Sequence, residues 1–301
     1  MAGGLAKTTI PMNLEPRIAK AVEPHIGKPI ALSGGIDSST LAYFLKPRFA
    51  ISVELPGDEK YNEIEWAKRV TGHLGLQHII VKPDDIFFDS HMNVAVKAIG
   101  RPIPHFNIFP LFAMYKHLAE MSVTEIVLGD GPDETMCGYA RDLIITYLYD
   151  VYDFEAFENY KPLIDKILPS KSDAIKAVTN LGGFTDVVSA DIAMRKDMDD
   201  MSNSIAAYFG IKNIRPYQDD PEMDNFMRDL PIKKKIHKTE YGKYELRKIA
   251  EKYLPWEVAW RRKKVGGPVY PVNLMRGWVE TDGEFGKGKY LEYQSRILNE
   301  N

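Results

Sequence analysis

Along the first half of the chain, short apolar runs of strand length recur at Pro29–Leu32, Phe49–Glu54, His78–Val81 and Thr124–Leu128. Between them lie longer segments whose apolar residues follow helical spacing: Ser38–Leu45, Glu59–Leu74, Asp84–Ile99 and Pro110–Met121. Strand alternating with helix predicts an α/β fold, a parallel sheet with helices on both faces. Residues 1–28 read as a preamble, in which Pro11, Pro16 and Pro24 punctuate a short helical piece at Arg17–Val22. From about Arg141 onward the strand signal fades. Helical spacing holds over Leu143–Ile167, Lys171–Asn180, Ser189–Phe209, Tyr241–Tyr253 and Pro255–Arg262, and the tail from Gly266 reads as a loop with a short final helix. The expected organisation is a preamble (1–28), an α/β core (29–140) and a mostly helical C-terminal part (141–301).

Composition narrows the function classes. A chain of 301 residues with 45% hydrophobic and 27% charged residues suits one large globular domain or two small ones. A net charge of -3 lends no support to a nucleic-acid carrier. The single cysteine, Cys137, excludes an intrachain disulfide, a cysteine-based zinc cluster and a two-cysteine relay, and reads as a small buried residue. The seven histidines show no HExxH or comparable metal-ligand spacing. No signal-peptide pattern and no run of 18 apolar residues is present, so the expectation is a cytoplasmic protein with no membrane partner.

Ligands of parallel sheets sit at the carboxyl ends of the strands, and two loops at those ends are unusual: Ser33–Ser39 and Gly129–Tyr139. The first lies in Ala31-Leu32-Ser33-Gly34-Gly35-Ile36-Asp37-Ser38-Ser39-Thr40, which ends a strand and opens a helix. Adjacent glycines let a phosphate approach main-chain N–H groups, and serines with a helix N-terminus add donors. No lysine follows in the frame of a Walker A loop. Asp37 stands within this anion nest, which makes sense chiefly with a Mg²⁺ between carboxylate and phosphate. Gly-Gly alone reads equally well as a capped strand–helix turn. The whole string resembles the signature of the ATP-pyrophosphatase (PP-loop) family, a HUP-like α/β fold that includes asparagine, β-lactam, GMP and NAD synthetases and tRNA-modifying enzymes. That resemblance implies ATP cleaved between its α and β phosphates, with Leu32, Ser33, Gly34, Gly35, Asp37, Ser38 and Ser39 around the nucleotide.

Further strings single out one branch. Gly129-Asp130-Gly131-Pro132-Asp133-Glu134, running on to Gly138-Tyr139, is similar to the second signature of asparagine synthetases, usually S-G-E-G-x-D-E-x-x-x-G-Y. Val53-Glu54-Leu55-Pro56-Gly57 resembles the strand whose backbone meets adenine. Gly210–Asp219 (G-I-K-N-I-R-P-Y-Q-D) is like the branch's G-x-E-x-R-x-P-F-L-D, and Lys243–Lys263 resembles its closing motif. The resemblance covers roughly 29–267. It implies Mg²⁺ clamped by Asp37 and Asp133, nucleotide contacts at Val53 and Gly129, a transition-state role for Lys263, and Asp130 as acceptor of the amine's proton. Lys233-Lys234-Lys235 is expected as solvated surface.

Three positions depart from the branch. Asp130 replaces the usual glutamate, and Arg101 and His105 stand where many asparagine synthetases are acidic. With Glu134 and Tyr139 they mark the expected acceptor pocket, where Tyr139 either packs against the loop or donates a hydrogen bond. With only 32 residues before the first loop, the expectation is a chain without the N-terminal glutaminase domain usual in this branch. The expected function is an ATP- and Mg²⁺-dependent amide-forming synthetase that adenylates a small-molecule carboxylate and passes the acyl group to ammonia, drawn from solution or from a separate glutaminase chain, or to another amine. The alternatives are an amidoligase repurposed for small-molecule, peptide or nucleobase modification, a PP-loop tRNA-modifying enzyme, and a non-catalytic nucleotide-binding protein. Homo-oligomerisation stays open.

Overall fold

The computed structural model describes residues 13–55, 64–84, 87–103, 108–139, 187–237, 241–261 and 287–299. Five parallel strands form its sheet: β1 (Ile30–Ala31), β2 (Ala50–Val53), β3 (His78–Val81), β4 (Glu125–Val127) and β5 (Lys212–Ile214), in the order β3-β2-β1-β4-β5. β1 is the centre. Leu32 N donates to Ile51 O at 2.8 Å on one side, and Val127 N donates to Pro29 O at 2.9 Å on the other.

Strand periodicity splits the apolar residues between two faces. Ile30, Leu32, Ala50, Val127 and Ile214 enter one core, with α1 (Leu14–Val22), α2 (Ile36–Leu45) and α3 (Ile64–Leu74). Ile51, Ile126 and Leu128 enter the other, with α4 (Phe87–Ile99), α5 (Ile108–Glu120) and the long helix α7 (Val187–Tyr208). Both faces are covered, as the alternation of elements predicts. The helices follow local rules. In α1, Asn13 accepts from Glu15 N at the N-cap, and Leu14, Ile18 and Val22, four residues apart, are all buried. In α2 nearly every residue is buried, which suits a helix lying between the sheet and further helices.

The C-terminal part, expected to be mostly helical, also supplies β5, which extends the sheet beside β4 through the pairs Glu125–Lys212 and Val127–Ile214. One expectation needs correction, for the three-lysine run is not uniformly solvated. Lys233 is exposed and Lys234 pairs with Glu245 at 3.1 Å, but Lys235 is buried and donates to the Arg228 carbonyl at 2.5 Å.

Candidate active site

In an open sheet of this order the chain switches direction between β1 and β4, and crevices form there, beyond the carboxyl ends of the strands. The two singled-out loops leave these two strands and touch. A Cβ on Gly129 would lie 2.8 Å from the Ser38 nitrogen and 2.9 Å from its Cα, so only glycine lets the second loop approach the first this closely. Within the first loop, Gly35 N donates to Ser33 Oγ at 3.2 Å, and Ser33 N donates to Ser38 Oγ at 3.3 Å. Ser38 Oγ in turn donates to Gly35 O at 3.4 Å. Ser39, fully buried, has a hydroxyl with no hydrogen-bond partner among the described residues. Leu32 O accepts from Ser52 Oγ at 2.5 Å, and that hydroxyl lies 2.8 Å from His78 Nε2. Burial, aided by the Lys68 charge, pulls the His78 pKa below its ordinary value. Val53 ends β2 one strand away from Leu32.

Asp37 lies in the first turn of α2, and Asp133 in the short helix α6 (Pro132–Thr135). They converge on Lys243. Lys243 Nζ sits 2.5 Å from Asp37 Oδ2 and 2.5 Å from Asp133 Oδ1, with its side chain only 2% exposed. Lys243 caps the helix α8 (Tyr244–Ala250) in the left-handed conformation (φ 57°), and its N–H donates to Met136 O at 2.9 Å. A Cβ on Gly138 would collide with both the Asp133 carboxylate and the Lys243 side chain, so the G-Y end of the second loop is shaped around this cluster. Tyr217 Oη closes one side by donating to Asp37 O at 3.3 Å.

Arg247, one turn further along α8, ties the cluster to the closing segment. Its Nε donates to Gly242 O at 2.8 Å, and its Nη1 donates to Ala259 O at 2.7 Å and Arg261 O at 3.3 Å. Burial lowers its pKa, and the charge of Asp37 is the strongest influence opposing that. The Arg261 guanidinium lies 4.5 Å from the centre of the Trp66 ring on α3. The segment therefore runs beside the first loop up to Arg261. Lys263 and His105 lie outside the described residues.

On the second loop's far side, Asp130 Oδ2 accepts from Arg215 Nε at 3.1 Å. Arg215, just beyond β5, is 4% exposed and also donates to Asn203 Oδ1 at 2.8 Å and Ser202 Oγ at 3.4 Å, with Asp199 Oδ1 at 3.5 Å. Burial pulls its pKa down, but the Asp130 and Asp199 charges outweigh that and hold it above the ordinary arginine value. Burial pushes Asp199 up to about 6 against the pull of Arg215. Glu134 is pushed up to about 7 by burial and by the neighbouring Asp133 charge, while Tyr139 Oη donates to its Oε1 at 2.5 Å. Tyr139 thus takes the hydrogen-bonding role. Arg101 points to α7, where its Nη2 meets Asp197 Oδ1 at 2.5 Å.

A family model described as asparagine synthase matches residues 29–179 and 187–282, thus spanning both loops, β5, Lys243 and the closing segment. The chain belongs to the asparagine synthase family. It is also similar to asparagine synthetase B [glutamine-hydrolyzing] of Escherichia coli (strain K12), with 24% identity over 302 residues, 91% of this chain and 46% of that protein. The chain thus spans about half the length of the curated relative it matches.

For an asparagine synthase family member, the structure brings together Ser33, Gly34, Gly35, Asp37, Ser38, Ser39, Gly129 and Asp133 around one spot. Asp130, Glu134 and Tyr139 border it along the second loop, whereas Arg101 is engaged with α7. Sequence reasoning passed over Lys243 and Arg215 as functional residues, although both stand in strings shared with the family. A Mg²⁺ ion fits this donor set. Asp37 and Asp133 present hard oxygen ligands on opposite sides of a point that already holds a cationic group, and Mg²⁺ is commonly bound by one or two carboxylates plus substrate phosphates. No cluster of three or more metal-ligating side chains occurs among the described residues. No helix among them is long and apolar enough to cross a membrane.

Proposed function

We propose that the chain is an ATP-dependent amide-forming synthetase that adenylates a carboxylate and transfers the acyl group to an amine. The observation that carries this reading is the convergence of Asp37 and Asp133, from two different strand-end loops, beside the serine- and glycine-lined turn at the switch point. Membership of the asparagine synthase family supports it.

In the first half-reaction a substrate carboxylate oxygen attacks the α-phosphorus of ATP, and the α–β anhydride bond breaks. The first loop holds the departing pyrophosphate through its main-chain N–H groups, the hydroxyls of Ser33, Ser38 and Ser39, and the N-terminus of α2. Asp37 and Asp133 would hold Mg²⁺, which supplies charge neutralisation to the leaving pyrophosphate. In the second half-reaction an amine attacks the acyl carbon, loses a proton, and AMP departs. Asp130, half-exposed beside Arg215 on the second loop, takes that proton in this reading. Lys263 follows the anchored Arg261 by two residues and offsets the negative charge that develops in the transition states.

The acceptor side favours a pair other than aspartate and ammonia. Asp130 is one methylene shorter than the usual glutamate, which withdraws the carboxylate by about 1.5 Å. Arg101, one of the two cationic departures, is already neutralised by Asp197, so the argument rests on Asp130. An AMP-release assay across carboxylic acids, with ammonia and with larger amines, tests the reading. One acid–amine pair should release AMP in step with amide, and Asp37→Asn should slow it at least ~10²-fold. Unchanged turnover in Asp37→Asn would refute the role given to the first loop.

A further inference from the structure

Lys243 is buried to 2% exposure with its ammonium between the two carboxylates, and the two half-reactions proposed above give it no part. We infer that Lys243 is a positioning residue that holds Asp37 and Asp133 at clamp separation and blocks the divalent cation until a polyphosphate draws its ammonium away. The inference rests on the reading of Asp37 and Asp133 as the metal clamp.

Three features carry it. The first is mutual exclusion. Nζ lies 2.5 Å from an oxygen of each aspartate, and a divalent ion bound to those oxygens would need the same space at ~2.0–2.1 Å. The second is that the lysine is built in. Its N–H is fixed to Met136 O, its backbone is left-handed, and Gly138 is kept free of a side chain where the lysine stem passes. A second-loop residue with any Cβ would expel the stem. The third is charge. Two buried carboxylates held together repel one another unless a cation stands between them, and removing one partner of such a cluster leaves the other uncompensated. A bare divalent ion entering would add its two charges to that of the ammonium already held by these carboxylates. An ion entering with a polyphosphate brings anions that can receive the flexible lysine head group.

The probe is Mn²⁺, counted by the loss of its free electron-paramagnetic-resonance signal on titration into the full chain. Without nucleotide the wild type should bind Mn²⁺ weakly, and Lys243→Met should bind it at least ten-fold tighter. Asp133→Asn added to Lys243→Met should abolish that gain. Mn²⁺ alone should raise the melting temperature of Lys243→Met and leave that of the wild type unchanged. Where Lys243→Met does not hold its fold, Lys243→Gln, which keeps a donor for the carboxylates, carries the same comparison. Nucleotide-free Mn²⁺ binding of equal strength in wild type and variant, with normal binding in the presence of α,β-methylene-ATP, overturns this inference alone. Absence of Mn²⁺ binding in every protein even with α,β-methylene-ATP overturns the metal clamp itself, and with it this inference.

Discussion

Arg215 Nε donates to Asp130 Oδ2 across 3.1 Å, joining the end of the edge strand β5 to the turn that follows β4. The arginine is buried while its partner is 48% exposed on the side chain, so the two ends of the bond have different work. Arg215 holds the structure together through Asp130, Asp199, Asn203 and Ser202. Arg215→Met should therefore destabilise the chain by about 1–3 kcal/mol, the scale of losing hydrogen bonds to charged groups whose partners keep some access to water. Chemical denaturation checks this, and a loss under ~1 kcal/mol would contradict the network.

Asp130 itself should matter for chemistry more than for folding. Asp130→Asn should keep acid-dependent exchange of pyrophosphate into ATP while amide formation falls ~10²- to 10⁴-fold. Loss of both half-reactions together would place Asp130 in adenylation instead.

Asp199 gives a pH signature of stability. Burial raises its pKa from the ordinary 3.8 to about 6, so between those values the unfolded chain releases the proton more readily than the folded one. The contribution of this group is full below about pH 4 and declines as pH rises to about 6. The melting temperature of Asp199→Asn minus that of the wild type should therefore rise from pH 4 to pH 7. A difference that falls over that range would show that the ion pairs with Arg215 and Arg195 dominate over burial.

Gly129 tests the contact between the two loops. Gly129→Ala places a methyl against the Ser38 backbone, which cannot yield as a side-chain tip can, so the loops must part. A displacement of ~1 Å at a reacting centre costs on the order of 10²-fold in rate. Adenylation should fall by that order, and wild-type turnover would show that the loops need not touch.

The architecture was legible where periodicity was strong. The apolar runs at β1 to β4 and the helical spacing between them carry the sheet and both its faces. β5 was not legible, because Lys212 and Asn213 supply two polar residues out of three and the strand exists by pairing with β4. The convergence of Asp37 and Asp133 could be anticipated because each lies in a glycine-bearing loop at a strand's carboxyl end. Lys243 and Lys235 could not, since lysine is almost always solvated and only tertiary partners bury it. Arg215 was hidden for the same reason. Arg101 read as a pocket cation because its partner, Asp197, is 96 residues away in sequence.

The central claim of the proposed function is that ATP is cleaved between its α and β phosphates, with the first loop holding the β and γ phosphates as one departing group. Phosphorus-31 NMR of the products, taken with an acid and amine that support turnover, measures this directly. AMP and pyrophosphate in equal amounts are the predicted result. ADP and orthophosphate as the main products would contradict the account.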